Sequence, residues 1–164
     1  MNKKILVLAV ALLAAALMRS TPPVFATPNT KLDMFQDVAP GGTTADADMV
    51  GPFGFGFVNY NQDEDGNLRI TVVLKYAEPD TEYTIYLVSG ATHDTVAGFF
   101  VIGTFTTNVK GMGAISGIIV SVGTLQSALG FGSGTYTCHL DVLGAGYPAT
   151  AGGYVVSPIG ISVP

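Results

Sequence analysis

An acidic turn around Asp63 has the residue spacing that comes closest to metal chemistry in this chain. Asn61, Asp63 and Asp65 alternate and are followed by Gly66, an arrangement that fits the first half of a calcium-binding loop. The bidentate glutamate that such a loop requires is replaced by Val72, in a strand-like segment. The pattern therefore favours an acidic hairpin turn, and a weak surface calcium site at Asp63 and Asp65 is the alternative.

His93, Asp94 and His139 are the other residues that suggest a metal or acid–base site. Zinc sites use three or four ligands, and nothing in the spacing of these residues specifies such a set. We therefore expect two ordinary surface histidines, no catalytic or cofactor-binding residue, and a protein that is not an enzyme. Cys138 and His139 are adjacent and point to opposite faces of a strand, which excludes a direct Cys–His pair. Cys138 is expected to be a small buried residue.

The elements that must position these residues are short strands. The clearest strand is 68–76, where Leu68, Ile70, Val72, Leu74 and Tyr76 point to one face. The loop at 124–133 has room for one helical turn, at 125–129. Seven short strands without a convincing amphipathic helix predict an all-β, antiparallel sandwich of about seven strands, and a closed barrel is the alternative. The predicted strands are 53–60, 68–76, 81–89, 96–107, 112–122, 134–143 and 154–163.

The sixth predicted strand carries a local resemblance to a known family. Residues 132–140 read Gly-Ser-Gly-Thr-Tyr-Thr-Cys-His-Leu, with Tyr136 two residues before Cys138, and resemble the F strand of immunoglobulin-like domains. The resemblance implies a sandwich with a tyrosine corner, in which the Tyr136 hydroxyl bonds to nearby backbone. The partner cysteine and the core tryptophan of that family are absent from this chain, so the resemblance implies neither a disulfide nor a function.

The N-terminal segment has the three parts of a secretory signal peptide. Lys3 and Lys4 precede an apolar run at 5–18, and Val24-Phe25-Ala26 fits a signal-peptidase site. The run is shorter than the roughly 17–25 residues of a membrane-spanning helix. We therefore predict a signal peptide at 1–26 and an extracellular or cell-surface location, with no membrane span after cleavage. An uncleaved anchor is the alternative.

The remaining chain divides into an arm and a domain. Residues 27–52 are rich in Pro, Gly and Asp with weak periodicity, which predicts an extended N-terminal arm or loop. One short extended piece can form within it, from residues 32–35 and Val38. Residues 53–164 are predicted to form the β-sandwich domain.

Charge excludes several classes of partner. The chain has 7 Lys and Arg against 12 Asp and Glu. Cleavage after Ala26 leaves four basic residues and a net charge of −8, which disfavours nucleic acid and anionic membranes. Charged residues make up only 12% of the chain, about half the usual share.

The sparse charge favours assembly, because sheet edges are normally protected by charged side chains. The segments 96–107, 112–122 and 154–163 contain no charged residue. We therefore predict a secreted or cell-surface structural or adhesive subunit that self-associates by strand pairing into an oligomer, filament or lattice. The arm at 27–40 is a candidate for an added strand.

A monomeric extracellular module that binds carbohydrate or protein is the second hypothesis. Such a module would use exposed tyrosines as stacking surfaces. The candidates are Tyr60, Tyr86, Tyr147 and Tyr154.

Overall fold

The computed structural model describes residues 26–37, 49–50, 55–90, 98–145 and 153–164. The signal peptide predicted at 1–26 lies outside these residues except for Ala26, as do most of the residues between 38 and 54. No helix within the described ranges is long and apolar enough to cross a membrane.

The fold is all-β and antiparallel, as the sequence predicts. Each of the seven predicted strands is present, and within the described residues its ends differ from the predicted ones by up to two residues. The described elements are β1 (Thr30–Asp37), β2 (Met49–Val50), β3 (Gly56–Gln62), β4 (Leu68–Leu74), β5 (Glu82–Ser89), β6 (Phe99–Thr106), β7 (Gly113–Val120), α1 (Val122–Leu129), β8 (Gly134–Gly144) and β9 (Gly153–Val163).

The strand β1 lies in the segment 27–52 and is built into the sheet. Thr30 to Met34 pairs with β3, whereas Phe35 to Asp37 pairs with β9. The strand order is β6–β5–β8–β9–β1–β3–β4–β7, with β2 beside β1. Because β1 pairs with a different neighbour along each half of its length, it passes from one group of strands to the other, and the sheet folds over into two layers.

The two layers enclose one hydrophobic core. One layer contains β3, β4 and β7, and the other contains β9, β8, β5 and β6. Buried side chains from both layers form a single cluster, which also includes Met34 of β1 and Leu125 of α1. Burial of this apolar surface is the main source of stability for the domain.

The strand β4 confirms the predicted alternation except at its end. Leu68, Ile70, Val72 and Leu74 are buried. Tyr76 was expected on the same face, but it is 75% exposed. The strand stops at Leu74, and Tyr76 has a positive φ of 58°, so the period-two rule no longer applies there.

A buried glutamine connects the two layers at one end of the domain. The Gln62 side chain donates from Nε2 to the carbonyls of Gly66 and Ser162, at 2.9 Å each. Its Oε1 accepts from the Ser162 backbone at 2.7 Å. The amide is therefore satisfied although Gln62 is only 1% exposed, and it ties β3 to β9 without the cost of an unpaired buried polar group.

The tyrosine corner implied by the immunoglobulin-like resemblance is present. The Tyr136 hydroxyl donates to the Gly132 carbonyl at 3.1 Å. Its ring stacks on Phe131 with centroids 3.9 Å apart. This contact fixes the chain where it enters β8.

The helix α1 is longer than the single turn that the sequence predicts. Ser121 caps its N-terminus by accepting from the Thr124 backbone at 3.1 Å, and Gly130 ends it with a φ of 70°. Leu125 and Leu129 are buried, so the helix is held by packing against the core.

Candidate functional site

The acidic turn forms a tightly bonded hairpin connection between β3 and β4. The Asp63 carboxylate accepts from the backbone amides of Asp65 and Asn67, at 3.2 and 2.9 Å. It also pairs with Arg69, at 3.1 Å between Oδ2 and Nη2. Asp65 is exposed, and no group of three potential metal ligands occurs among the residues that the structure describes. The calcium hypothesis for Asp63 and Asp65 stays a prediction, and the geometry shows Asp63 occupied as a turn-forming acceptor.

Asp63 gives this turn a predictable pH dependence. Burial raises the pKa of the Asp63 carboxyl, but hydrogen bonds from Asn67 and Arg69 and the charge of Arg69 outweigh this effect. The pKa therefore lies below its usual value. A lowered folded pKa stabilises the protein above the unfolded value, which is about 3.9, and this contribution is lost as the pH falls through the folded value.

We therefore expect Asp63→Asn to lower the melting temperature at neutral pH, with a deficit that shrinks below about pH 4. Thermal unfolding followed by circular dichroism measures it, and Asp65→Asn is the matched control. A deficit that stays constant with pH would contradict the assigned role of Asp63. Repeating the melts with calcium chloride tests the calcium hypothesis, which requires a rise in melting temperature that both variants abolish.

His139 is not the surface histidine that the sequence suggested. It points away from the core, as the alternation predicts, but it is 0% exposed. Its Nδ1 lies 2.8 Å from the Gly90 carbonyl, and its Nε2 lies 3.6 Å from Asp141 Oδ1. The prediction failed because alternation separates two faces of a strand and does not tell whether the outer face is covered. His93 and Asp94 lie outside the described residues.

Cys138 occupies the core, on the face of β8 opposite His139. It is 0% exposed, as the sequence predicts. Burial raises the pKa of its thiol to about 12, so the thiol is protonated and weakly nucleophilic at neutral pH.

The tyrosines proposed as stacking surfaces have different environments. Tyr60 and Tyr86 are half-buried, and Tyr147 lies outside the described residues. Tyr154 was expected to be exposed, but it is 3% exposed and packs against Phe55 and Tyr83. Tyr154 is buried because it faces the interior between the two layers.

The β6–β7 hairpin, residues 99–120, consists of two consecutive strands that a turn joins but that are not hydrogen-bonded to each other in the described sheet. The order of described strands ends at β6 on one side and at β7 on the other. The third uncharged segment, β9, is interior, because it pairs with both β8 and β1. The absence of charge in the sequence therefore points to both edge strands, β6 and β7, but it also points to β9, which is not an edge.

Exposed apolar side chains concentrate on this hairpin. Six large hydrophobic residues are exposed among those described, and all except Tyr76 lie between residues 99 and 119. The same stretch contains a single charged residue, Lys110, in the connecting turn. The five are Phe99, Val101, Val109, Met112 and Ile119.

A shallow apolar groove adjoins the β6 edge. It has a volume of about 360 Å³, and Phe99 forms part of its wall. The Phe99 ring meets Tyr86 edge-on, with centroids 6.0 Å apart. The described lining residues are Tyr86, Val88, Phe99, Asp141 and Leu143.

The two free edges lie close together. A Cβ atom placed on Gly113 of β7 would come within 2.7 Å of the Phe105 ring of β6, and one on Gly103 would lie 3.3 Å from Ile115. The glycines therefore allow the edges to approach each other, which places both on the same side of the domain.

Comparisons with protein-family models, with curated proteins and with solved structures found no match for this chain.

Proposed function

We propose that this protein is an exported structural or adhesive subunit that self-associates through the β6–β7 hairpin. The proposal rests on two features that occur together in this hairpin. The hairpin contains the two edge strands of the described sheet, and it bears nearly all of the exposed large apolar side chains. Monomeric proteins normally guard such edges with charge or cover them.

The partner that fits this surface is a second copy of the chain. Strand β6 of one copy would pair antiparallel with β6 of another, so that alternate backbone amides and carbonyls of the edge find partners. Phe99 and Val101, which are 63% and 52% exposed, would be covered by the same contact. Burial of each such side chain contributes about 1.5–3 kcal/mol.

Charge supports a homotypic contact at this position. The mature chain is predicted to carry −8, so two copies repel one another where acids are exposed. Residues 99–120 contain no acid, and the hairpin is therefore a region where copies can meet without like-charge repulsion. Continued assembly into a filament or lattice requires a second contact surface, and the exposed Val109 and Met112 in the turn between β6 and β7 are candidates for it.

The sandwich belongs, in this proposal, to the immunoglobulin-like type, as a module displayed outside the cell. The tyrosine corner at Tyr136 and the two antiparallel layers support this assignment. The predicted signal peptide at 1–26 supports export. The role is non-enzymatic, and its mechanism is strand pairing and burial of an apolar face.

Two measurements test this proposal: the mass of the exported protein, which shows where its N-terminus lies, and the size of its particles in solution. We expect protein expressed as the whole chain and purified after export to begin at Thr27 by mass spectrometry. Light scattering and negative-stain electron microscopy should then show oligomers or filaments, with or without calcium chloride. A clean monomer at all concentrations contradicts self-association, and an intact N-terminus contradicts signal cleavage.

A further inference from the structure

A polar cleft lies on the outer face of the β3–β4–β7 layer. Its volume is about 200 Å³. It opens where β7 carries an extra residue relative to β4, between Ile115 and Ile118. Gly117 has a φ of 75° at this bulge, and a Cβ placed on it would meet nothing within 4 Å. The lining residues are Asn29, Asn59, Asn61, Arg69, Ile70, Thr71, Gly117, Ile118 and Ile119.

The lining combines neutral hydrogen-bonding groups with an apolar wall. Asn59 and Asn61 lie two residues apart on β3, so both side chains project from the same face. In the register of the sheet, Asn59 stands opposite Thr71 and Asn61 stands opposite Arg69. Side-chain amides both donate and accept hydrogen bonds, and a threonine hydroxyl does the same. Ile119, which is 56% exposed, supplies the apolar side.

The charge of the cleft is balanced. Arg69 is its only charged lining residue among those described, and its guanidinium pairs with Asp63 at 3.1 Å. The remaining guanidinium N–H groups can donate to a neutral acceptor. An anionic ligand would have to compete with Asp63 and would meet a chain of net negative charge.

We propose that this cleft binds one ring of a neutral saccharide, a hexose or an N-acetylhexosamine. Vicinal hydroxyls present paired donors and acceptors that match adjacent amide groups, and the less polar face of a sugar ring can lie against Ile119. The volume is smaller than the roughly 300–1,000 Å³ of pockets for drug-sized ligands, which fits a single ring. The cleft lies on the other layer from the groove beside β6, but its Ile119 also belongs to the β6–β7 hairpin. A contact between copies at β6 therefore leaves the cleft open, whereas a contact at β7 would cover Ile119.

Saturation-transfer difference NMR tests the proposal with protein expressed as the whole chain. The probes are D-glucose, D-galactose, D-mannose and N-acetyl-D-glucosamine, each measured alone. We expect at least one probe to show saturation transfer that sodium sulfate does not reduce. Absence of transfer from all four probes overturns the proposal, and displacement by sulfate overturns it in favour of an anion site.

Variants then locate the binding. Asn59→Ala and Thr71→Val should each weaken the responding sugar by about three- to tenfold, the range expected for one lost hydrogen bond. Gln126→Ala removes an exposed amide from α1 and should leave binding unchanged. Circular dichroism confirms folding of each variant. Equal binding by Asn59→Ala, Thr71→Val and the unchanged protein would place the sugar elsewhere and overturn the assignment.

Discussion

Replacement of Phe99 by lysine is expected to convert the self-associated protein into monomers. Phe99 is 63% exposed on the β6 edge and forms one wall of the apolar groove. Loss of its burial removes about 1.5–3 kcal/mol, which weakens association by roughly tenfold to a hundredfold. A lysine at an unpaired edge also opposes strand pairing directly, so the combined effect exceeds that range.

The matched control for this variant is Tyr76→Lys. Tyr76 is 75% exposed and is the exposed large hydrophobic residue outside the hairpin among those described, so the same kind of substitution is made away from the β6 edge. Light scattering over a range of concentrations compares the two. Equal dissociation by both variants, or no dissociation by Phe99→Lys, would contradict an interface at β6. Far-ultraviolet circular dichroism verifies that both remain folded.

Replacement of Met34 by alanine is expected to destabilise the whole domain by about 2–5 kcal/mol. Met34 is 0% exposed and belongs to the common core, although it lies in a segment whose composition predicts an arm. Its strand β1 is bonded to β3 on one side and to β9 on the other. Loss of its side chain therefore leaves a cavity where the two layers join.

Urea unfolding measures this effect, and Asp33→Ala is the control. The neighbouring Asp33 side chain is 66% exposed, so its removal should change the free energy of unfolding by less than about 0.5 kcal/mol. Similar stabilities for Met34→Ala and the unchanged protein would show that β1 is dispensable. Deletion of residues 27–40 is accordingly expected to unfold the domain.

The strands were predictable because their signals are local. The segment 68–76 alternates in polarity, and the Asp-Gly turn before it provides the positive φ that Gly66 adopts, at 80°. The tyrosine corner was also predictable from the sequence, because the Tyr136 hydroxyl bonds to a residue only four positions away. Such features depend on neighbours in sequence.

Features that depend on distant parts of the chain were not predictable in the same way. Burial of His139 and Tyr154 depends on which face of each strand is covered, and the sequence alternation does not contain that information. The position of β1 within the sheet could not be predicted from the sequence for the same reason. Its composition resembles a loop, and its position is fixed by pairing with β9, more than one hundred residues later in the chain.

The candidate surface was predictable in part. Absence of charge identified the segments 96–107 and 112–122, which contain the two edge strands, but it equally identified 154–163, which is interior. Strand order separates these cases, and it is a non-local property. The polar cleft could not be predicted from the sequence, because Asn59, Arg69 and Ile119 lie on three different strands. The bulge at Gly117 also has no distinctive pattern in a single sequence.

Hydrogen–deuterium exchange of β6 at low and high protein concentration is the most direct measurement of the interface. Alternate amides of an unpaired edge strand exchange with water, and pairing with a second copy protects them. Self-association through β6 predicts that exchange in residues 99–106 slows as the concentration rises, whereas exchange in the exposed turn at 63–67 stays constant. Exchange in residues 99–106 that is the same at every concentration would contradict it.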